Sequence, residues 1–234
     1  MHTVIPEMDN FFTTRDQAAV AAADWIAASL GSRLDSDGAA SLVVTGGSSP
    51  AKCYEVLAAS DLRWDKVHVL LSDERWVPQS DPDSNERMVR ETLLVDQASD
   101  ANLLGFYNKN ITIDEQCKVF SSSLSELPSP FASTLLGMGA DGHIASLFAD
   151  SPQFADGVDA DSEQLCMAVT TAASPHPRIS LTLAALLQSD EIVLLFFGDD
   201  KREVYRQAKL DPEAYPVSRL LHQDRVPVHA FWAP

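Results

Sequence analysis

The sequence predicts an α/β protein with a mostly parallel sheet covered by helices on both faces. Three observations carry this prediction. Short runs such as Ser41–Thr45, Val67–Ser72, Phe131–Leu136 and Glu191–Phe197 are close to continuously apolar, as strands buried on both faces are. These runs alternate with stretches of helical periodicity, the pattern of βαβ units. Four of the strands end in glycine or in acid–base clusters: Gly46–Pro50, Asp73–Arg75, Gly137–His143 and Gly198–Lys201. In a parallel sheet those four ends share one edge, and open α/β sheets bind ligands beyond that edge.

In chain order, residues 1–12 read as an opening strand or arm. Thr13–Leu30 places Ala22, Ile26 and Leu30 on one stripe, a helix that Gly31 should stop. The strand Ser41–Thr45 runs through Gly46-Gly-Ser-Ser-Pro50 into a helix reaching Ala59, with Ser49 able to cap and Pro50 suited to the first turn. The strand Val67–Ser72 is followed by a long polar loop, Asp73–Asn85, and a helix, Glu86–Val95. Residues 96–112 are irregular, and Ile113–Leu127 is helical. Phe131–Leu136 is a strand, then a glycine turn, then a helix start after His143. Residues 149–165 hold five acids and no Lys or Arg, a solvated acidic loop. Leu165–Thr170 is a strand, Ser174–Arg178 a rigid connection, and Ile179–Gln188 helical. The strand Glu191–Phe197 leads through Gly198-Asp-Asp-Lys201 into a helix ending near Lys209. A short helix at Val217–Leu221 and a strand at Val228–Trp232 close the pattern.

Composition narrows the function. Seventeen basic against 34 acidic residues give a formal charge of −17, which opposes binding of nucleic acid or an anionic membrane by the general surface. Salt confines the repulsion of anionic substrates to about 8 Å, so an anion site has to be built locally from a few cations and backbone N–H groups. Cys53, Cys117 and Cys166 are odd in number and widely spaced, which argues against a disulfide framework or thiolate zinc site. No basic-then-apolar leader is visible, and the run Ile192–Phe197 is far too short to span a bilayer. The expectation is a soluble cytoplasmic protein. With 45% hydrophobic residues, no repeat and no linker, residues 1–234 are expected to form one domain.

The clusters suggest chemistry, each with a plainer alternative. Gly46, Gly47, Ser48 and Ser49 can present free N–H groups and hydroxyls to a phosphate, or can simply form a capped turn. His143 can take a proton from water near neutral pH, or can be a structural histidine; Asp141 and the surrounding glycines favour catalysis. Arg75, Arg178 and Lys201 sit at element ends and suit a phosphate monoester, or can pair with acids. Asp73 and Glu74 can orient Arg75 or act as acid or base. Gly137-Met-Gly-Ala-Asp-Gly142 formally matches a dinucleotide fingerprint but falls late in the chain, without a clear crossover after it. There is no Gly-x-Ser-x-Gly, Walker A or His-Glu-x-x-His, and the calcium-like start at Asp81 fails at Glu86 and Thr92. No metal and no cofactor are expected.

Taken together, Gly46–Pro50, Ser72–Pro78 with Asp83–Asn85, Gly137–Phe148, Pro177–Thr182 and Gly198–Lys201 resemble, in order, the 6-phosphogluconolactonase family. Ala140, Ala149 and Ile144 depart from that pattern without removing a chemical group. The resemblance implies hydrolysis of 6-phospho-D-glucono-1,5-lactone to 6-phosphogluconate. It also implies the fold shared with glucosamine-6-phosphate deaminases and ribose-5-phosphate isomerases. His143 becomes the general base, with Asp141 beside it. Arg75, Arg178 and Lys201 become ligands of the phosphate and ring, and Asp73 and residues 46–49 line the substrate. The implied partner is a small phosphorylated sugar lactone, and a monomer or dimer is expected. The nearest rival, a glucosamine-6-phosphate deaminase or sugar-phosphate isomerase, carries an acid five residues after that histidine, where this chain has Phe148, and an aromatic residue in place of Arg75. A non-catalytic sugar-phosphate sensor is a further rival, opposed by the acidic charge and the lack of a helix-turn-helix in residues 1–40.

Overall fold

The computed structural model describes residues 8–172 and 174–234. The first seven residues of the expected opening arm lie outside them; the rest of that arm is strand β1 (Met8–Phe11). Two sheets form. In the larger, strands numbered in chain order run β1, β10 (Val228–Ala233), β9 (Ile192–Phe197), β6 (Ser133–Leu136), β2 (Ala40–Val44), β3 (Val67–Leu71), β5 (Asn102–Leu104). Every neighbouring pair is parallel. All five residues of β2 and all six of β10 are buried, which requires cover on both faces and explains why these runs do not alternate. From β2 the chain moves outward through β3 to β5; from β6 it moves the other way through β9 to β10. β2 and β6 therefore flank the point where strand order reverses, and the four strands with glycine or acid–base ends are the adjacent set β9, β6, β2, β3.

The smaller sheet is antiparallel: β4 (Asp73–Arg75), β8 (Arg178–Leu181) and β7 (Cys166–Val169). Two expectations change here. The head of the polar loop is β4, and the head of the predicted helix Ile179–Gln188 is β8, followed by the one-turn α6 (Leu183–Leu186) capped by Thr182. Ile179 and Leu181 alternate with Arg178 and Ser180, a period of two that helical propensity downstream obscured.

Helix α1 (Arg15–Asp37) starts at Thr14, which accepts from Gln17 N, and lays Ala18, Ala22, Ile26, Leu30 and Leu34 against β2, β6, β9 and β10. It runs through Gly31. Burial on either side outweighs the roughly 1 kcal/mol that an interior glycine costs, and the stop is Gly38, at φ 80°. Helix α2 (Ala51–Ala58) packs on α1 and starts at Pro50 without a side-chain cap, so Ser49 does not cap it. Helices α3 (Asn85–Thr92) and α4 (Ile113–Leu124) follow as predicted, each slightly shorter. The stretch 96–112 contains edge strand β5, and the acidic stretch a single turn, α5 (Phe154–Gly157). Helices α7 (Asp199–Leu210) and α8 (Pro216–Leu221) complete the set. No helix among the described residues is long and apolar enough to cross a membrane, and the three cysteines are free and buried.

Candidate active site

The edge where β9, β6, β2 and β3 end carries a two-lobed cleft. One lobe, about 250 Å³, is walled by Gly47, Ser48, Ser49, Met138 and Lys201. The other, about 120 Å³, is walled by Asp73, Arg75, Asn85 and Arg178. Thr45, Gly46, Gly47, His143 and Ala145 line both. The loops that meet here follow β2 and β6, the pair at the reversal of strand order, where open α/β sheets hold ligands.

After β6 the chain turns tightly instead of starting a helix. Gly139 N donates to His143 O at 2.9 Å and Gly142 N to Gly139 O at 3.1 Å. Gly142 has φ 77°, and a Cβ there would lie 2.7 Å from Tyr215, which abuts α8. Val217 N, in α8, donates to Gly142 O at 2.9 Å. Ala145 follows at φ 47°, a left-handed conformation unusual for a residue with a Cβ. Two positive-φ residues within four positions explain why no helix begins at His143.

This turn fixes the histidine. His143 Nδ1 lies 2.5 Å from Asp141 Oδ1, and the imidazole stays 29% exposed, open to water. The hydrogen bond from His143 holds the Asp141 carboxyl below the usual carboxylate range, against its partial burial. The imidazole packs against the Phe148 ring with centroids 4.2 Å apart. The Arg178 guanidinium lies 5.3 Å from the same ring's centroid. Phe148 is therefore a shared neighbour of the histidine and the arginine lobe.

The small sheet builds that lobe. Antiparallel register sets Arg75 opposite Arg178. Asp73 Oδ2 accepts from Ser146 Oγ at 2.5 Å and lies 3.5 Å from Arg178 Nη1, while Oδ1 accepts from Ser72 Oγ at 3.0 Å. Arg75 Nη1 donates to Asp83 O at 2.5 Å. The Nε–H groups of both arginines are buried and have no protein acceptor among the described residues, while both residues line the lobe, where a guanidinium can meet an anion. Burial pushes the Arg178 pKa down, opposed by Asp73 and reinforced by the Arg75 charge. Below them Glu74, almost wholly buried, accepts from Arg75 N, Asn85 N, Glu86 N and Ser84 Oγ at 2.7–3.0 Å. It caps the start of α3 and delivers Asn85, whose Nδ2 donates to Asp73 O at 2.9 Å. Burial raises the Glu74 pKa in spite of those bonds.

Lys201 reaches the other lobe from the first turn of α7, entered through Gly198 at φ 93°. Partial burial lowers its pKa, opposed by the charge of Asp141 and reinforced by Arg15. The ten residues singled out in the sequence all line the cleft or, for Asp141, bond to its histidine. They are not gathered around one point: Arg75 and Arg178 share one lobe with Asp73, whereas Lys201 shares the other with Ser48 and Ser49, and His143 sits between.

Sequence reasoning passed over Thr45, Asn85, Ala145 and Ser146. Asn85 had a signal, since it closes the motif Asp83–Asn85. A Cβ on Gly46 would fall 2.0 Å from Asn85 Oδ1, so glycine there makes room for Asn85. Ser146 had none beyond its place after the histidine. A larger hollow of about 620 Å³ lies between β1 and α7. Several of its polar groups pair with one another, Tyr205 Oη and Lys209 Nζ with Asp9 and Arg206 with Glu203, and no histidine or glycine loop lines it.

A family profile described as glucosamine-6-phosphate isomerases/6-phosphogluconolactonase matches residues 13–231. The 6-phosphogluconolactonase of Caulobacter vibrioides is 38% identical over 95% of this chain and 95% of its own length. That of Mesorhizobium japonicum is 37% identical over 96% and 94%. The crystal structure of a 6-phosphogluconolactonase from Shewanella baltica superposes with TM-score 0.92 at 37% identity, covering 99% of this chain and 100% of the other. A monomeric glucosamine-6-phosphate deaminase, 18% identical with TM-score 0.78, shares the fold. With its switch-point cleft, its glycine turns and this likeness along nearly its whole length, the chain belongs to the glucosamine-6-phosphate isomerase/6-phosphogluconolactonase family.

Proposed function

We infer that the protein hydrolyses 6-phospho-D-glucono-1,5-lactone to 6-phospho-D-gluconate, with His143 as general base. One observation carries this reading: an imidazole oriented by Asp141 lies in the wall shared by two cationic lobes. A phosphorylated lactone has an anion at one end and a carbonyl that becomes an oxyanion at the other. The larger lobe, with Lys201 and the Gly47–Ser49 loop, suits the phosphate, because a lysine and backbone N–H groups can surround it. The arginine lobe then faces the lactone ring. The guanidinium groups of Arg75 and Arg178, which line that lobe, suit the oxyanion, and the carboxylate of Asp73 suits a ring hydroxyl.

With Asp141 on Nδ1, the proton of the neutral ring stays on Nδ1, and Nε2 is left to accept one from water. The water oxygen forms a bond to the carbonyl carbon, and its proton passes to Nε2. The tetrahedral adduct then expels the ring oxygen, which takes that proton. A positioned base contributes about 10²–10⁴-fold, and one oxyanion donor roughly 2.7–4 kcal/mol. No covalent intermediate is required, and residues 1–234 act as one domain in this reading.

Deamination of glucosamine 6-phosphate is the rival within the family. Phe148, packed on the imidazole, offers no carboxylate to support a proton relay there. The test is an assay with freshly made 6-phosphogluconolactone, corrected for spontaneous hydrolysis, with glucosamine 6-phosphate and unphosphorylated gluconolactone as controls. Turnover of the phosphorylated lactone, lost in His143→Ala and weakened at the KM level in Lys201→Ala, is expected. Ammonia release, or equal use of the unphosphorylated lactone, refutes it.

A further inference from the structure

We propose that Ser146 is a positioning residue that keeps Arg178 available to the substrate by occupying Asp73. The inference rests on the reading of Arg178 as a ligand of the lactone carbonyl. Ser146 is fully buried, one residue beyond the strained Ala145 and three beyond the histidine. Its Oγ donates to Asp73 Oδ2 at 2.5 Å, and Arg178 Nη1 approaches the same hydroxyl at 3.4 Å. Its backbone N donates to Ser180 Oγ in β8 at 3.2 Å. Ser146 thus bonds to both strands that carry the arginines, and ties them to the turn that carries His143.

The chemistry follows from competition for one carboxylate. Asp73 is buried and the Arg178 side chain is only 12% exposed, so they attract each other in surroundings that screen less than water. Left alone, the pair would close into a bidentate fork, with the guanidinium turned onto Asp73. Instead Oδ1 is taken by Ser72 and Oδ2 by Ser146. Arg178 keeps only a 3.5 Å contact with Asp73, and its Nε–H is uncommitted. Removing the Ser146 hydroxyl frees Oδ2 to capture the guanidinium, which is then withdrawn from the carbonyl. A group that acts on the oxyanion is felt in kcat rather than KM.

The test is Ser146→Ala in the full chain, with kcat and KM measured on 6-phosphogluconolactone and on unphosphorylated gluconolactone below the unfolding temperature. A fall in kcat of about tenfold is expected, the size of one charge-assisted hydrogen bond, with KM within about twofold. The fall should be proportionally equal on both lactones, because Ser146 acts at the carbonyl end. It should vanish in the Arg178→Ala background. Ser146→Cys, which fills the same space with a weak donor, should lower kcat in the same direction and guards against a folding failure of the alanine variant. Wild-type kcat in both variants while Arg178→Ala is impaired overturns the inference alone. So does a loss that persists undiminished without Arg178, or one confined to the phosphorylated lactone. Wild-type kcat in Arg178→Ala removes the reading of Arg178 and the inference with it.

Discussion

Replacing Asp141 by Asn tests the proposed base more sharply than deleting the histidine. The carboxylate is 2.5 Å from Nδ1 and also accepts from His143 N at 3.3 Å. An asparagine keeps the shape but can turn its NH₂ towards Nδ1, favouring the tautomer with the proton on Nε2, where no base remains. A hydrogen bond to a charged group is worth about 1.5–3 kcal/mol. The Asp141 side chain is 56% exposed, so solvent screening places the value near the lower end, about 1.5 kcal/mol. That corresponds to a loss of about tenfold in kcat. His143→Ala should cost about 10²–10⁴-fold, and the double variant should be no worse than His143→Ala, because Asp141 acts through the ring. The assay is lactone hydrolysis in excess of the spontaneous rate, with melting curves for each variant. A wild-type kcat in Asp141→Asn, or a double variant in which the two losses multiply, refutes the pairing as the source of the base.

Other perturbations follow from the same geometry. A Cβ on Gly139 would lie 2.2 Å from His143 Nδ1 and 2.4 Å from Asp141 Oδ1. Gly139→Ala should therefore displace two movable side chains, abolishing most turnover with little change in melting temperature; retained activity contradicts it. Glu74→Gln leaves a neutral amide where four donors converge and should cost about 2–3 kcal/mol, read as a lower denaturant midpoint at unchanged slope. Near the start of β10, at the opposite end of the strands from the cleft, His229 is buried beside Trp25, with Nε2 3.9 Å from Glu191. Burial lowers its pKa from the ordinary 6.5, and Glu191 opposes the shift. Its unfolded form binds the proton more readily, so the stability from keeping it neutral is present above about pH 6.5 and lost as pH falls below it. A melting temperature that drops from pH 7.5 to 5.5 in the wild type should drop less in His229→Phe; parallel curves would exclude His229 as the cause.

The parallel sheet was legible in the sequence because strands buried on both faces leave short, largely apolar runs: β9 is unbroken, and β2, β3 and β6 are interrupted only by Ser41, His68 and the pair Ser133 and Thr134. The site was legible because glycine and charge gather where those runs stop. The small sheet was not. β4 is three residues of Asp-Glu-Arg, and its strand character comes only from pairing with β8. Polar residues in a loop-like stretch carry no periodicity to reveal a partner 105 positions away, as Asp73 and Arg178 are. The split of the cations had the same origin: Arg75 and Arg178 look equivalent to Lys201 as isolated basic residues, and only strand register sets two of them together. The helix expected after His143 failed because Ala145 takes up a left-handed conformation that its side chain gives no hint of. Gly31 misled in the opposite sense, since a glycine signals a stop only where the chain also turns to positive φ.

The wholly parallel pairing of the large sheet has a kinetic side. No two of its neighbours can form by a local hairpin, and at one edge Asn10 bonds to Ala230 across 220 residues. Such remote pairings close slowly, because loop entropy is surrendered before contacts repay it. The candidate pocket draws on loops and element ends scattered between Thr45 and Lys201, so a half-collapsed intermediate with native helix content holds no competent pocket. On dilution from denaturant, enzymatic activity should return in the last phase, well after circular dichroism has recovered most of its amplitude.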